Sequence, residues 1–470
     1  MSTAPRLRVV AKDHHEPNHD AQITSVNEQT EQANAERLVK RFGPDIRYCF
    51  QMGRWFCWKD GRWAEDKTGA VQQMAKQIAK EVSAAAIDSG ELSAIRFAQQ
   101  SSGRRGIESM ISLARSDVPV LPGEFDRDPT LFNCRNGTLD LSTGRLRAAR
   151  RDDLITQQSP VNFDPEAQCP TWHEFLNRIF GGRESLIGYM QRLAGYFLTG
   201  LVTEQLLPIF YGVGANGKTT FLTTITEIMG EHYAMPASRD LLTVKRWDSH
   251  PAELAALFGK RLVVASETDD GSRLAESLVK QLTGGDKITA RRMREDFWSF
   301  DPTHKLVLAT NHKPEVNGTD LAVWRRLHLV PFDVVIPDSE QDKNLPAKLK
   351  AEAPGILRWM VEGCTAWHQH GLGMPDEIKK ATATYRSEQD VLSAFIADEC
   401  VIGNQQYRVR AGQLFDAYKT WCQRSGEHAR NQKRFGQGIT ERGFRKMSND
   451  GTWYLGVGLR DGGTSGTASN

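Results

Sequence analysis

An α/β fold with a largely parallel sheet, covered by helices on both faces, is predicted by three features of this 470-residue chain. Short continuous apolar runs, LLPIFY (206–211), RLVVAS (261–266) and KLVLAT (305–310), are separated by segments of helical character. Strands buried on both faces read as such unbroken runs. The first run passes straight into the glycine loop GVGANGKT, Gly212 to Thr219, and then into TFLTTITEIMG, a strand, loop and helix in succession. The composition, 39% hydrophobic and 25% charged, is that of a globular chain with an ample core, and the length points to roughly two to four domains.

Taken in order, residues 1–30 are polar and aperiodic and read as a flexible tail without the apolar segment of a secretory signal. Residues 31–203 form a helical or α+β unit. In it, RWFCWKDGRW (54–63) reads as a hairpin turning at Asp60-Gly61, followed by a helix with Val71, Met74, Ile78 and Val82 on one face. A second hairpin spans Gly137 to Arg147. Two amphipathic helices follow, one carrying Trp172, Phe175, Leu176 and Ile179, the next Leu186, Met190, Leu193 and Phe197. Residues 204–335 hold the glycine loop and the parallel sheet, although Pro208 interrupts the first strand, where proline is disfavoured. A helical continuation occupies 336–400, with Ile356, Met360, Cys364 and Trp367 on one stripe. Residues 401–460 read helix, helix and a hairpin through Asn449-Asp450-Gly451, the outline of a winged helix. A polar tail, 461–470, closes the chain.

The loop fits G-x-x-x-x-G-K-[ST], the pattern of a phosphate-binding P-loop. Gly212, Val213, Gly214, Ala215, Asn216, Gly217, Lys218, Thr219 and Thr220 are the candidate nucleotide contacts. Backbone N–H groups at a helix N-terminus face an anionic phosphate, Lys218 supplies a point charge and Thr219 a hydroxyl for Mg²⁺. Glu267 closes the strand RLVVAS, where an acid can act at the metal-bound γ-phosphate or orient the attacking water; Asp269 and Asp270 stand close by. Asn311 stands just beyond KLVLAT, where an amide can bond both the γ-phosphate and the water. The segment WRRLHLVPF (324–332) offers Arg325 and Arg326 ahead of a further apolar run. An arginine given to a neighbouring subunit's phosphate stabilises transition-state charge.

The order GVGANGKTT, RLVVASET, KQLTGGDKITAR, LATNHKP and WRRLHLVPF resembles that of superfamily 3 helicases, and more narrowly the phage, plasmid and poxvirus primase-helicases. FDRDPTLFNCRNGTLDL (125–141) with SLIGYMQRLAGYFLTG resembles the helical domain that precedes the motor in those proteins. The likeness runs roughly from Arg37 to Phe332. It implies an AAA+-like hexameric ring that hydrolyses ATP between subunits and translocates on single-stranded DNA. It assigns Lys218 and Thr219 to the phosphates and metal, Glu267 to the second acidic motif, Asn311 to the sensor and Arg326 to the finger. Arg326 is preferred to Arg325 because it immediately precedes the apolar run. Ser266-Glu267-Thr268 replaces the paired acids common in the family, which leaves open whether Glu267 holds metal through water or activates the nucleophile. The family's DNA-contacting hairpin falls at Arg291, Arg292 and Arg294. Asp126 and Asp128 form a D-x-D but lack the flanking apolar strand of a two-metal site, so the expectation is a stand-alone helicase with any primase or other replication protein on a separate chain.

Net charge is only +2, so charge as a whole announces no polyanion; its distribution does. From Val401 to Asp450 ten Lys or Arg face four acids, with Lys433 and Arg434 on the second helix as candidate DNA contacts. No apolar stretch approaches the roughly 18 residues of a membrane span. Seven scattered cysteines without a C-x-x-C pair fit a reduced, cytoplasmic protein, in a bacterial host by the resemblance. The expected partners are single-stranded and forked DNA and further copies of the chain; the expected cofactors are ATP and Mg²⁺. The expected function is an ATP-dependent replicative helicase of a phage, plasmid or mobile element, the alternative an origin-binding initiator with little processive unwinding.

Overall fold

The computed structural model describes residues 29–238, 241–244, 251–266, 272–291, 297–316, 321–404, 406–448 and 450–460. The amino-terminal unit opens with helix Glu31–Phe42, whose first turn is capped by Thr30 Oγ1 accepting from Ala33 N at 3.1 Å. The first hairpin pairs Arg54–Lys59 with Arg62–Glu65. Its turn residues Asp60 (φ 51°) and Gly61 (φ 79°) are both left-handed, the conformation for which Asp-Gly is favoured. The helix Ala70–Ser89 then packs Ile78 beside Leu38, Ile107 and Met110. The second hairpin, Gly137–Asp140 with Arg145–Arg147, adds to strand Leu131–Cys134, and helices Pro170–Ile179 and Glu184–Leu198 follow.

Five parallel strands form the central sheet: β1 (Leu207–Tyr211), β2 (Ala234–Pro236), β3 (Leu262–Ser266), β4 (Lys305–Thr310) and β5 (Leu327–Pro331), in the order β5-β1-β4-β3-β2. Alternate residues enter two separate cores. Phe210, Leu262, Val307 and Val330 join one with the helices Pro170–Ile179 and Glu184–Leu198; Leu207, Ile209, Val263, Leu306, Leu308 and Leu329 join the other. The sheet is therefore apolar on both faces, which is why its strands read as unbroken runs. Pro208 is tolerated because the ladder between β1 and β4 begins only at Ile209, while Pro208 pairs His328 on the β5 side. All five strands end at one edge, and the loop after β1 lies there.

The helix that follows the loop, Lys218–Tyr233, is broken near its end by Gly230, at φ 74°. Helix Ala353–His370 lies along Glu184–Leu198 on the first core, with glycines at the crossing. A Cβ on Gly195 would stand 2.0 Å from Cys364 N and one on Gly363 2.0 Å from Gln191 O, so only glycine permits this backbone approach. At the carboxyl end, helix Val391–Glu399, strand Arg408–Arg410, helices Ala411–Ser425 and Gln432–Glu441, and strands Arg445–Ser448 and Thr452–Leu455 share a core built on Phe395, Leu414, Tyr418, Phe435, Ile439 and Tyr454. All seven cysteines are buried and free.

Candidate nucleotide site

The loop from Gly212 to Gly217 leaves β1 and delivers Lys218 as the first residue of its helix. Its turn needs Gly214 at φ 64°, Ala215 at φ 47° and Gly217 at φ 84°. Gly217 is also held against the amino-terminal unit: a Cβ there would lie 2.5 Å from Ile179 Cγ2 and 3.1 Å from Phe175. At Gly212 a Cβ would meet Phe332 O at 2.3 Å. Buried Asn216 fixes the loop from within, its Nδ2 donating to Phe332 O at 3.2 Å. Val213 and Thr219 remain exposed, so the loop presents both backbone and a hydroxyl outward.

Lys218 is enclosed. Its Nζ donates to Gly212 O at 2.5 Å, to Asn216 Oδ1 at 3.1 Å and to Asn311 Oδ1 at 3.1 Å. Burial holds its pKa below the ordinary lysine value, and three neutral oxygens satisfy the ammonium without a carboxylate. The strand order explains the meeting with Asn311, 93 residues away: β4 lies beside β1, pairing Thr310 with Tyr211, so both chain exits share one edge. On the other side of β4, Ser266 pairs with Ala309, which places the end of β3 at the same edge. Glu267, Asp269 and Asp270 lie outside the described residues, as do Arg292 and Arg294.

Arg326 stands at the opposite end of the sheet. Its carbonyl accepts from Leu207 N at 2.7 Å, one strand length away from the loop. The side chain is buried, Nε donating to Thr283 Oγ1 at 3.2 Å and a terminal nitrogen to Ala322 O at 2.5 Å. Its neighbour Arg325 is exposed and lines a surface pocket of about 740 Å³ with Trp324, Lys379, Arg386 and Asp390. Arg291 leaves the first strand of a two-stranded antiparallel hairpin, Ile288–Ala290 with Trp298–Phe300, and its guanidinium lies 5.3 Å from the ring centre of exposed Phe297. Lys433 and Arg434 are exposed on the first turn of Gln432–Glu441, which Asn431 caps by accepting from Arg434 N at 3.0 Å.

Of the sequence D-x-D, Asp126 is a local staple, accepting from Thr156 N at 2.8 Å and from the Thr156 hydroxyl, with burial raising its pKa. Asp128 accepts from Thr130 N at 2.8 Å. Two neighbours of the loop carried no role in the sequence reading. Ile179 was legible as a core residue from helical spacing, but nothing tied it to Gly217. Lys313, two residues after Asn311, sits with Nζ 5.2 Å from the Tyr211 ring centre and 2.7 Å from Glu388 Oε2, adding a cation at the same sheet edge.

Comparison with known proteins finds similarity to viral proteins named as putative helicases and primases. The family described as "D5 N terminal like" matches residues 35–181, and a family of unknown function, DUF5906, matches residues 210–326. The chain is 28% identical over 321 residues to "Putative helicase L207/L206" of Acanthamoeba polyphaga mimivirus, covering 63% of this chain and 33% of that protein. It is 25% identical over 324 residues to "Putative primase C962R" of African swine fever virus, covering 63% and 34%. The chain thus spans about a third of the length of these curated relatives. Among solved structures, the C-terminal region of NrS-1 aligns over 90% of this chain and 99% of its own, at 12% identity and a TM-score of 0.47. Among the described residues no helix is long and apolar enough to cross a membrane.

Proposed function

We propose that this chain is the motor of an ATP- and Mg²⁺-dependent replicative DNA helicase of a phage, plasmid or mobile element, an AAA+-like member of superfamily 3 working as a hexameric ring on single-stranded DNA. The observation that carries this reading is the meeting of Lys218 Nζ and Asn311 Oδ1 at 3.1 Å beside the glycine loop. A P-loop lysine in contact with a polar residue from the neighbouring strand is the arrangement a phosphate-sensing site requires. The loop's shape suits this reading: Gly212 and Gly217 let its backbone pack tightly on Phe332 and Ile179, and Thr219, the second residue of the helix, stays exposed beside it. Thr219 and Glu267 are the proposed metal holders, and a bound Mg²⁺ offsets phosphate charge. Lys218 must exchange its neutral oxygen partners for phosphate oxygens, and Asn311, released from it, becomes free to orient water.

Arg326 or Arg325 acts across a subunit boundary in this reading. Five residues of strand, roughly 17 Å, separate them from their own loop, so neither serves it within one subunit. Arg291, Arg292 and Arg294 contact single-strand phosphates, and Lys433 and Arg434 contact duplex DNA from a winged helix.

Displacement of a labelled strand from forked DNA, with particle mass measured with and without ATP, tests the proposal. ATP-dependent displacement by an assembly of about six subunits is expected, with Lys218→Ala abolishing hydrolysis and Asn311→Ala lowering turnover at least ten-fold while retaining nucleotide. A sequence-specific duplex footprint without displacement would select the initiator reading.

A further inference from the structure

The carboxy-terminal sheet has a face that the proposed duplex contacts leave unused. Its strands, Arg408–Arg410, Thr452–Leu455 and Arg445–Ser448, lie side by side with Thr452–Leu455 in the middle. Register sets two cross-strand rows: Arg408, Leu455 and Arg445 in one; Arg410, Trp453 and Met447 in the next. Rows two residues apart share a face of a pleated sheet, about 7 Å from each other. The intervening residues Val409 and Tyr454 are buried in the unit's core, which identifies that side as the inner one. Helix Gln432–Glu441 approaches from the inner side, where a Cβ on Gly436 would lie 2.6 Å from Tyr454 Oη.

The outer face therefore combines three exposed arginines with half-buried Trp453, Leu455 and Met447. The guanidinium carbons of Arg408 and Arg410 stand 5.5 and 5.1 Å from the Trp453 ring centre. Among the described residues none of the three arginines forms an ion pair. Their charge is thus uncompensated locally while the surface between them is aromatic and apolar.

We infer that this face binds single-stranded DNA, with bases stacking on Trp453 and its flanking guanidinium planes and phosphates held by Arg408, Arg410 and Arg445. Stacking platforms with interleaved arginines take unpaired bases, whose π-faces are accessible. A duplex hides those faces and would lay its phosphates across the apolar strip of Trp453, Leu455 and Met447. The inference does not depend on the motor reading, since it invokes neither nucleotide nor ring.

The test uses the full-length chain without nucleotide and measures anisotropy of labelled dT20, an rU20 strand and a 20-base-pair duplex across a salt series. Trp453→Ala is expected to weaken dT20 binding at least five-fold, Trp453→Phe to restore it to within two-fold, and duplex affinity to change less than two-fold. Because Trp453→Ala can disturb packing, the exposed triple variant Arg408→Gln/Arg410→Gln/Arg445→Gln gives the second readout. It should lower the dependence of log K on log salt by about two, the value for three single-strand phosphate contacts. Unchanged dT20 affinity and slope in the triple variant would overturn the proposal, as would an equal loss on duplex. Tighter binding of rU20 than of dT20 would make RNA the ligand and reject DNA. Wild-type ATP hydrolysis, measured alongside, separates the two readings: its absence with the expected dT20 results sinks the motor and leaves this face standing.

Discussion

Gly217 and Gly214 share a backbone conformation but not an environment, and that difference gives a quantitative test of how the loop is held. Both have positive φ, 84° and 64°. An alanine at either costs about 1–2 kcal/mol for the left-handed backbone. At Gly214 a Cβ meets nothing within 4 Å, so Gly214→Ala should cost only that. At Gly217 the same atom stands 2.5 Å from Ile179 Cγ2, a fully buried side chain that cannot swing away. Overpacking of this kind adds about 1–3 kcal/mol, for a total of roughly 2–5 kcal/mol. Urea unfolding followed by near-ultraviolet dichroism measures both variants, and a fluorescent ATP analogue reports whether the displaced loop still binds. Adding Ile179→Ala should recover about 1–3 kcal/mol of coupling in a double-mutant cycle, because it removes the clash but not the backbone strain. Equal costs at the two glycines, or additivity of Gly217→Ala with Ile179→Ala, would refute the claim that the amino-terminal helix packs against the loop.

Acid should destabilise the fold through His304 and His328, whose pKa values burial lowers to about 4. The unfolded chain takes up these protons near the ordinary value of 6.5 and the folded chain does not, so stability is full above that value. It falls by up to ~3 kcal/mol per histidine as pH drops toward 4. A denaturation midpoint for His328→Gln that varies with pH as steeply as wild type would count against its share. Arg325→Ala, an exposed change, should leave the melting temperature unaltered, whereas Arg326→Ala should lower it by removing bonds to Thr283 and Ala322. Mixing each with Lys218→Ala subunits identifies the finger as the one whose hydrolysis is rescued, and absence of rescue by either would exclude action between subunits. Arg292→Ala/Arg294→Ala should cut the salt dependence of single-strand binding by about 1.4, for two lost contacts, and normal unwinding by that variant would reject these arginines as the strand-gripping residues.

How much of this was legible in the sequence depends on the range of the interactions involved. The glycine loop is a local object: strand, turn and helix follow one another within Leu207 to Tyr233, so spacing alone displays it. The Asp60-Gly61 turn was legible for the same reason. Asn311 could be singled out as a strand-end residue, but its contact with Lys218 required the strand order that inserts β4 between β1 and β3. The burial of Arg326 was not legible, because its partner Thr283 is 43 residues away on a different element and an arginine before an apolar run gives no sign of which way it points. The arginine face around Trp453 appeared only as a local charge excess. Its first strand is three residues long, too short for alternation to register, and the face exists only once three strands are aligned.

The edge of the sheet opposite the loop shows why the amino-terminal unit and the parallel sheet act as one body. Arg261, preceding β3, and Lys305, opening β4, are both buried cations. Arg261 donates to Leu198 O and, at 2.7 Å, to Leu131 O, while its guanidinium lies 4.7 Å from the Tyr233 ring centre; Lys305 Nζ donates to Thr199 O and lies 5.0 Å from the Tyr196 ring centre. Burial lowers both pKa values, and cations so placed are tolerable only where carbonyls and aromatic faces replace water. Most of those carbonyls come from the end of helix Glu184–Leu198, where unsatisfied C=O groups and the helix dipole favour positive charge. At the other edge, helix Pro170–Ile179 of the same unit meets Gly217. The unit before the sheet thus grips it at both ends of its strands, through Ile179 and Phe175 against Gly217 at the loop and through Leu198, Thr199 and Leu131 carbonyls on Arg261 and Lys305 at the other end.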